Sequence, residues 1–279
     1  MSKVWIVTGS SRGLGRQIVE AALAAGHRLL ATARRPEQLQ DLVEIWGDQI
    51  HTFPLDVTDW VAGKAAVQAA LDAFGSLDVV VNNAGQADMA SIEDCTEAAI
   101  RGQFETVFFG VVNLTKAALP VLRAQGHGHI IQISSLGARI GTPGLSAYQS
   151  AKWAVTGFST CLANEVAPLG VRVTIVEPGS IRTDMSGGSS MAIPPISAPY
   201  ANTVGAMADR LREGHGSEPC DPAKIAQVVV EIAALEDPPR RLLVGSDACR
   251  YAELAAEALS AEDARWRTLS QTVDFAPGN

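Results

Sequence analysis

Short apolar runs alternate along this chain with alanine-rich helical stretches, and no other feature of the sequence restricts the fold as much. Residues 4–7 (VWIV) read as a buried strand, and 15–25 as a helix stopped by Gly26. Runs 27–33, 50–55, 77–81, 129–134 and 171–176 repeat the strand signature, and a last short strand is expected at 241–244. Helical patterns cover 36–46, 58–74, 97–123 and 147–167. Apolar strands, each followed by a helix, predict a parallel sheet covered on both faces. Right-handed crossovers make it a single doubly wound α/β sheet. No repeat or second periodic domain is present, so 1–279 reads as one domain. The rhythm breaks at about 185–221, where glycines and prolines crowd. So long an insertion in a compact domain predicts a lid or binding loop. Residues 251–269 read as a terminal amphipathic helix.

Composition removes several other classes. Hydrophobic residues make up 47% and charged residues 19%, which excludes a disordered chain. The balance of 22 basic against 30 acidic residues gives −8, a poor match for nucleic acid or anionic lipid, so no nucleic-acid partner is expected. Cys95, Cys161, Cys220 and Cys249 are far apart and form no C-x-x-C pair, so no metal cage is expected and the thiols read as reduced. No apolar run approaches the ~20 residues of a membrane helix. The start of the chain lacks the apolar region of a signal peptide. A soluble, cytoplasmic protein is expected.

The first strand runs into Thr8-Gly9-Ser10-Ser11-Arg12-Gly13-Leu14-Gly15, which places three glycines between a strand and a helix. Such a turn lets backbone approach a pyrophosphate, and the helix N-terminus offers free N–H groups. A plain tight turn is the alternative reading, since the spacing is not the common G-x-G-x-x-G.

From this turn onward the chain resembles the short-chain dehydrogenase/reductase family, whose glycine pattern is T-G-x-x-x-G-x-G. Asn82-Asn83-Ala84-Gly85 matches the family's N-N-A-G. Leu55-Asp56-Val57 stands where the family sets an aspartate against adenine. Tyr148-Gln149-Ser150-Ala151-Lys152 fits Y-x-x-x-K, and Ser135 precedes Tyr148 by the family's usual 13 residues. Pro178-Gly179-Ser180-Ile181-Arg182-Thr183 fits the P-G-x-x-x-T stretch near the nicotinamide. The tail, LLVGSDA followed by a helix, is similar to members grouped with 17β-hydroxysteroid dehydrogenases. The resemblance implies a Rossmann-type fold and catalysis by Ser135, Tyr148 and Lys152. It implies a nicotinamide dinucleotide held by Gly9, Ser11, Arg12, Gly13, Leu14, Gly15, Arg34, Asp56, Val57, Asn83, Ala84, Gly85, Tyr148, Lys152, Pro178, Gly179, Ile181 and Thr183. It also implies a homodimer or homotetramer, with the long helices at 97–123 and 147–167 pairing across a two-fold axis.

Charge addresses which dinucleotide binds. A ribose 2′-hydroxyl calls for an acid after the second strand, and a 2′-phosphate calls for arginine. The second strand ends Ala33-Arg34-Arg35 with no acid, and Arg12 lies in the glycine turn. Arg12 and Arg34 clamping one phosphate would favour NADP(H) over NAD(H); two solvated arginines are the alternative.

Tyr148 and Lys152 are four apart on a helix and share a face. A nearby cation lowers the pKa of a tyrosine, about 10 when free. Lys152 and the nicotinamide cation are therefore expected to depress it. Tyr148 would protonate a nascent alkoxide or deprotonate an alcohol, while Ser135 donates a hydrogen bond to the substrate oxygen. Ser134 is the rival, pointing to the opposite face of the strand. One departure stands out. The family carries an Asn three residues before a Gly in its middle helix, and Gly110 puts Val107 at that position. The expected activity is NADPH-dependent interconversion of a ketone or aldehyde and an alcohol. Met185, Met191, Ile193, Ile196 and Tyr200 would cover a hydrophobic substrate, or else pack on the core or another subunit. The alternatives are a dinucleotide-binding sensor or scaffold without turnover, and a redox-neutral epimerase or dehydratase on the same fold.

Overall fold

Alternation within each strand sets the architecture. The computed structural model describes residues 2–183 and 191–275. Its strands are β1 (Val4–Thr8), β2 (Arg28–Ala33), β3 (Ile50–Pro54), β4 (Val79–Asn82), β5 (Gly128–Ile133), β6 (Val171–Pro178) and β7 (Arg241–Val244). In β1, Trp5 and Val7 face one side of the sheet and Ile6 the other; in β4, Val79 and Val81 oppose Val80. Both faces of the central strands are apolar because both are covered. All seven strands are parallel, in the order β3-β2-β1-β4-β5-β6-β7. This is the expected doubly wound, Rossmann-type sheet.

The helices are α1 (Gly13–Ala24), α2 (Gln40–Trp46), α3 (Trp60–Phe74), α4 (Glu97–Phe104), α5 (Gly110–Gln125), α6 (Ser146–Val166), α7 (Ala206–Gly214), α8 (Pro222–Ala234) and α9 (Ser246–Ser270). α1, α2 and α8 cover the Trp5 face, while α3, α5 and α6 cover the Ile6 face. Each fully buried side chain of the size of Ile6 or Ile18 contributes about 1.5–3 kcal/mol. α3 starts where the Asp59 carboxylate accepts the N–H groups of Val61 and Ala62.

The structure adds several features. α8 lies in a stretch that the alternation leaves blank, opened by Asp221 as cap and Pro222 in its first turn. α4 and α5 form one continuous helix through a π turn at Glu105–Phe109. The helical span Glu97–Gln125 is long and apolar enough to cross a membrane by length and composition, which the sequence reading did not expect; here α5 packs on α3, β4 and β5. Among its described residues the insertion holds a 3-10 turn at Ala198–Tyr200, a π turn at Ala201–Gly205, and α7. Met185, Gly187 and Gly188 lie outside the described residues. The terminal helix begins earlier than its pattern suggested, at Ser246.

Candidate active site

The strand order reverses direction between β1 and β4, so the loops leaving these strands diverge and open a crevice at the carboxyl edge. Gly9 and Gly13 adopt φ of 67° and 55°, a region disfavoured for side-chain-bearing residues. A Cβ on Gly15 would lie 2.2 Å from the Gly9 carbonyl and 2.4 Å from Asn83 Nδ2. Leu14 is buried, Ser11 is partly buried, and Arg12 is exposed at the helix cap. No side chain caps α1, so its first N–H groups stay available to an anion. The Thr8 hydroxyl accepts the N–H groups of Asn83 and Ala84, both at 3.0 Å, and Asn83 Nδ2 donates to the Thr8 carbonyl at 2.9 Å. These bonds tie the Asn83-Ala84-Gly85 loop to the glycine turn. Thr183 flanks the same turn, 3.7 Å from where a Gly13 Cβ would sit.

Arg34 is exposed at the end of β2. The Asp56 carboxylate accepts the Thr58 N–H at 2.9 Å and its hydroxyl at 2.8 Å; these bonds, with a smaller contribution from Arg34, hold its pKa below the ordinary value. Val57 packs on Gly110, where a Cβ would come within 2.6 Å of it, and its carbonyl accepts Asn113 Nδ2 at 2.9 Å. Asn113 therefore braces this loop.

Ser135 follows β5, and its Oγ accepts the Gly137 N–H at 2.9 Å. That fixes the oxygen and leaves its proton for another partner. Tyr148 stands in the first turn of α6, half-buried. Burial pushes its phenol up, and a hydrogen bond with Ser135 pulls against that. Lys152, one turn on, is buried; its Nζ donates to the Ile133 carbonyl at 2.6 Å and lies 5.9 Å from the Tyr148 ring centroid. Burial lowers its pKa to about 8. In the chain alone, then, burial outweighs the other influences on the phenol, whereas the expected depression joined Lys152 with a nicotinamide cation. Gly85 closes the group, since a Cβ there would sit 3.9 Å from Lys152 Nζ. Ser134 turns inward instead, its Oγ 3.2 Å from Thr156 Oγ1. Val107 is fully buried in the π turn.

Residues 3–192 match the family model described as short chain dehydrogenase. The chain belongs to the short-chain dehydrogenase family. Oxidoreductase BOA17 of Botryotinia fuckeliana is 54% identical over 271 residues, 97% of this chain and 98% of that protein. A short-chain dehydrogenase from Streptomyces avermitilis superposes with a TM-score of 0.92 at 40% identity, over 99% of this chain and 100% of that one. A Burkholderia cenocepacia short chain dehydrogenase in complex with NADP has a TM-score of 0.74 at 27% identity, over 95% and 97%. Solved structures of this fold include an NAD complex as well, so the fold alone does not select the cofactor.

This short-chain dehydrogenase is an oxidoreductase of a family that binds a nicotinamide dinucleotide, and its cradle fits one. The glycine turn has no room for a Cβ at Gly15, and the α1 N-terminus is uncapped. The sequence reading missed several residues that shape the site. Asn82 Nδ2 donates to Gln132 Oε1 at 2.9 Å and to Thr115 Oγ1 at 3.0 Å, locking β4 to β5 and α5. The Asp247 carboxylate accepts the Ser180 N–H at 2.7 Å, and Gly179 donates to the Val244 carbonyl at 2.9 Å, so the Pro178-Gly179-Ser180 loop hangs from the start of α9. A Cβ on Gly179 would strike Asp247. Glu177, fully buried, is held by Arg139 and Arg241. Arg139 sits in the loop after Ser135, so this triad joins that loop to the Pro178 loop. The only signal for Asp247 was an acid just past a strand–helix turn; nothing marked Glu177 as buried. A cavity of about 350 Å³, bordered by Asp88, Gln103, Ser146, Ala147 and Ile193, lies beside the Tyr148 turn.

Proposed function

We propose that this enzyme interconverts a hydrophobic ketone or aldehyde and its alcohol with NADP(H). One observation carries the reading. Ser135 and Tyr148 stand together beside buried Lys152, at the carboxyl edge next to the glycine turn. The bound dihydronicotinamide supplies the hydride. Gly9, Ser11, Gly13, Leu14 and Gly15 would hold the pyrophosphate, and Asp56 and Val57 would serve the adenine. Asn83, Ala84, Gly85, Pro178, Gly179, Ile181 and Thr183 position the rest, and Lys152 steadies the ribose.

A phenol keeps its proton at neutral pH, and burial shifts Tyr148 further in that direction. It is therefore set to protonate the substrate oxygen in the reducing direction. The Ser135 hydroxyl, its oxygen anchored by Gly137, donates a second hydrogen bond to that oxygen. Arg12 and Arg34, both exposed, with no acid at the end of β2, would receive the 2′-phosphate. The NADP complex of the Burkholderia cenocepacia relative supports this choice. Met191, Ile193 and Ile196 pack with Met89 and Leu145, and this apolar cover favours a hydrophobic substrate. The helical pair α4–α5 and α6 offer the surface for a homodimer or homotetramer. The site works with a buried valine at Val107, so proton exchange with solvent runs through other polar groups or water.

The test mixes purified protein with NADPH and a panel of ketones and follows cofactor absorbance. Tyr148→Phe should reduce turnover by ~10²–10⁴-fold while NADPH still binds. Turnover that survives Tyr148→Phe overturns the assignment. Cofactor binding without turnover on any substrate would point to a sensor instead.

A further inference from the structure

The cavity of about 350 Å³ beside the Tyr148 turn contains a buried amide whose donor side is unused. Gln103, the one buried residue of α4, is 1% exposed and lines this cavity. Its Oε1 accepts the Asp88 N–H at 3.1 Å. A backbone N–H needs an acceptor, so this bond fixes the amide: the oxygen turns to Asp88 and the NH2 group turns away. Among the described residues Nε2 has no hydrogen-bond partner. Nor is it sealed in, since the described side-chain nitrogen and oxygen atoms that are both fully enclosed and unpaired are Trp5 Nε1 and Ser159 Oγ. In a side chain so deeply buried, the open space that Nε2 meets is the cavity. Buried polar groups are almost always paired, so this donor calls for an acceptor in that space.

The walls show what the acceptor is attached to. Ala90, Ala99, Ala147, Ile193 and Pro194 make the lining largely apolar. Asp88 and Asp94 stand at the border, where they accept the Ala192 N–H at 3.2 Å and the Ser197 N–H at 3.1 Å. Two carboxylates repel an anion. A cation would face the positive end of the Gln103 amide and lose its hydration against apolar side chains. The volume lies at the small end of the ~300–1,000 Å³ of small-molecule pockets. Ile92 and Thr96, both exposed, stand at the edge and leave it open to solvent.

We infer that this cavity binds a compact, neutral, largely apolar group bearing an acceptor oxygen, which takes a hydrogen bond from Gln103 Nε2. An amide, ester or ketone oxygen on a single ring has that chemistry. It can arrive as the far end of the enzyme's own substrate or as a separate small molecule. The site rests on the cavity and does not depend on the proposed activity.

Calorimetric titration of the full chain with N,N-dimethylbenzamide, which has an acceptor oxygen, no donor and no charge, tests it. This amide should bind at least about tenfold more tightly than benzoate or benzylammonium. Gln103→Met keeps the length of the side chain, removes the amide and should weaken binding about tenfold. Because that change also frees the Asp88 N–H, a second variant acts one turn away: Ala99→Leu leaves Gln103 intact, fills the cavity and should abolish binding. Tyr148→Phe should bind the amide as the wild type does. Displacement of the amide by a ketone that the enzyme reduces assigns the cavity to the far end of the substrate, and binding of both together assigns it to a separate molecule. Lack of any reducible ketone would defeat the proposed activity and leave the titrations standing. No binding of the amide, equal binding of all three compounds, or binding that Tyr148→Phe weakens while both cavity variants spare it, overturns the inference.

Discussion

The cradle around the glycine turn and the cover formed by 191–214 share one edge of the sheet, yet they are held by different forces. The cradle is stitched by directional bonds: Thr8 to Asn83 and Ala84, Asn82 to Gln132 and Thr115, Lys152 to Ile133. The cover rests on an apolar cluster around Met89, Val204 and Ala208, clipped along its border where Asp88 accepts the Ala192 N–H and Asp94 the Ser197 N–H. Directional bonds and forbidden Cβ positions need one residue type at one place. An apolar cluster accepts many side chains, provided the volume is right. The cradle is therefore held to one geometry, and the 191–214 segment is the part that tolerates more substitution.

Gly15→Ala attacks the cradle where it has no slack. The added carbon must move both the Gly9 carbonyl and the Asn83 side-chain amide, which is itself tied to the Thr8 carbonyl. Overpacking of this kind costs about 1–3 kcal/mol. Fluorescence titration should show NADPH bound ~10–100-fold more weakly. An unchanged affinity would mean that the cradle yields as easily as the cover, and the contrast between them would fail.

The same contrast explains what the sequence disclosed. Gly9, Gly13 and Gly15, the Asn83 loop, Ser135, Tyr148 and Lys152 were legible because turns, hydrogen bonds and helical spacing act over short stretches. α8 was hidden, since its Val228-Val229-Val230 run has the look of a strand while Asp221-Pro222 was the helix signal. Asp247 and the Glu177 triad were hidden for another reason: their partners are far away in sequence, and only the folded sheet brings them together. The upward shift of Tyr148 was hidden as well, because burial is a tertiary property.

Arg34→Asp acts at the exposed rim, between the two regimes. Removing a charged hydrogen-bond donor and adding an acid should weaken NADPH by about tenfold. NADH, lacking the 2′-phosphate, should change far less. Equal losses for both cofactors, read by the same titration, would place the phosphate elsewhere.

Lys152 gives the cradle a pH signature. Its folded pKa is lowered to about 8, so the ammonium is lost in the native site while the unfolded chain still holds its proton up to its ordinary value. The site's contribution to stability is therefore present above that ordinary value and is lost as pH falls through about 8. If the ammonium steadies the bound cofactor, kcat/KM for NADPH should fall about threefold between pH 7.5 and 8.5. Lys152→Arg, which stays charged, should remove that limb even if it lowers the plateau. A limb that persists in the variant belongs to another group.

Val204→Ala is the mildest intervention and tests the cover alone. Val204 is buried beside Met89 and Gly144, far along the chain from any residue of the cradle. Deleting its two methyl groups should cost about 1–2 kcal/mol and lower the Tm by about 2–6 °C. The looser roof should raise KM for bulky ketones more than for small ones, and the Kd for NADPH should stay within twofold or so of the wild type, because no cradle bond is touched. If NADPH binding weakens in step with ketone KM, the two regions open and close as one unit. The division between a rigid cradle and an adaptable cover would then give way to a single cooperative edge, in which substrate contacts help to hold the cofactor.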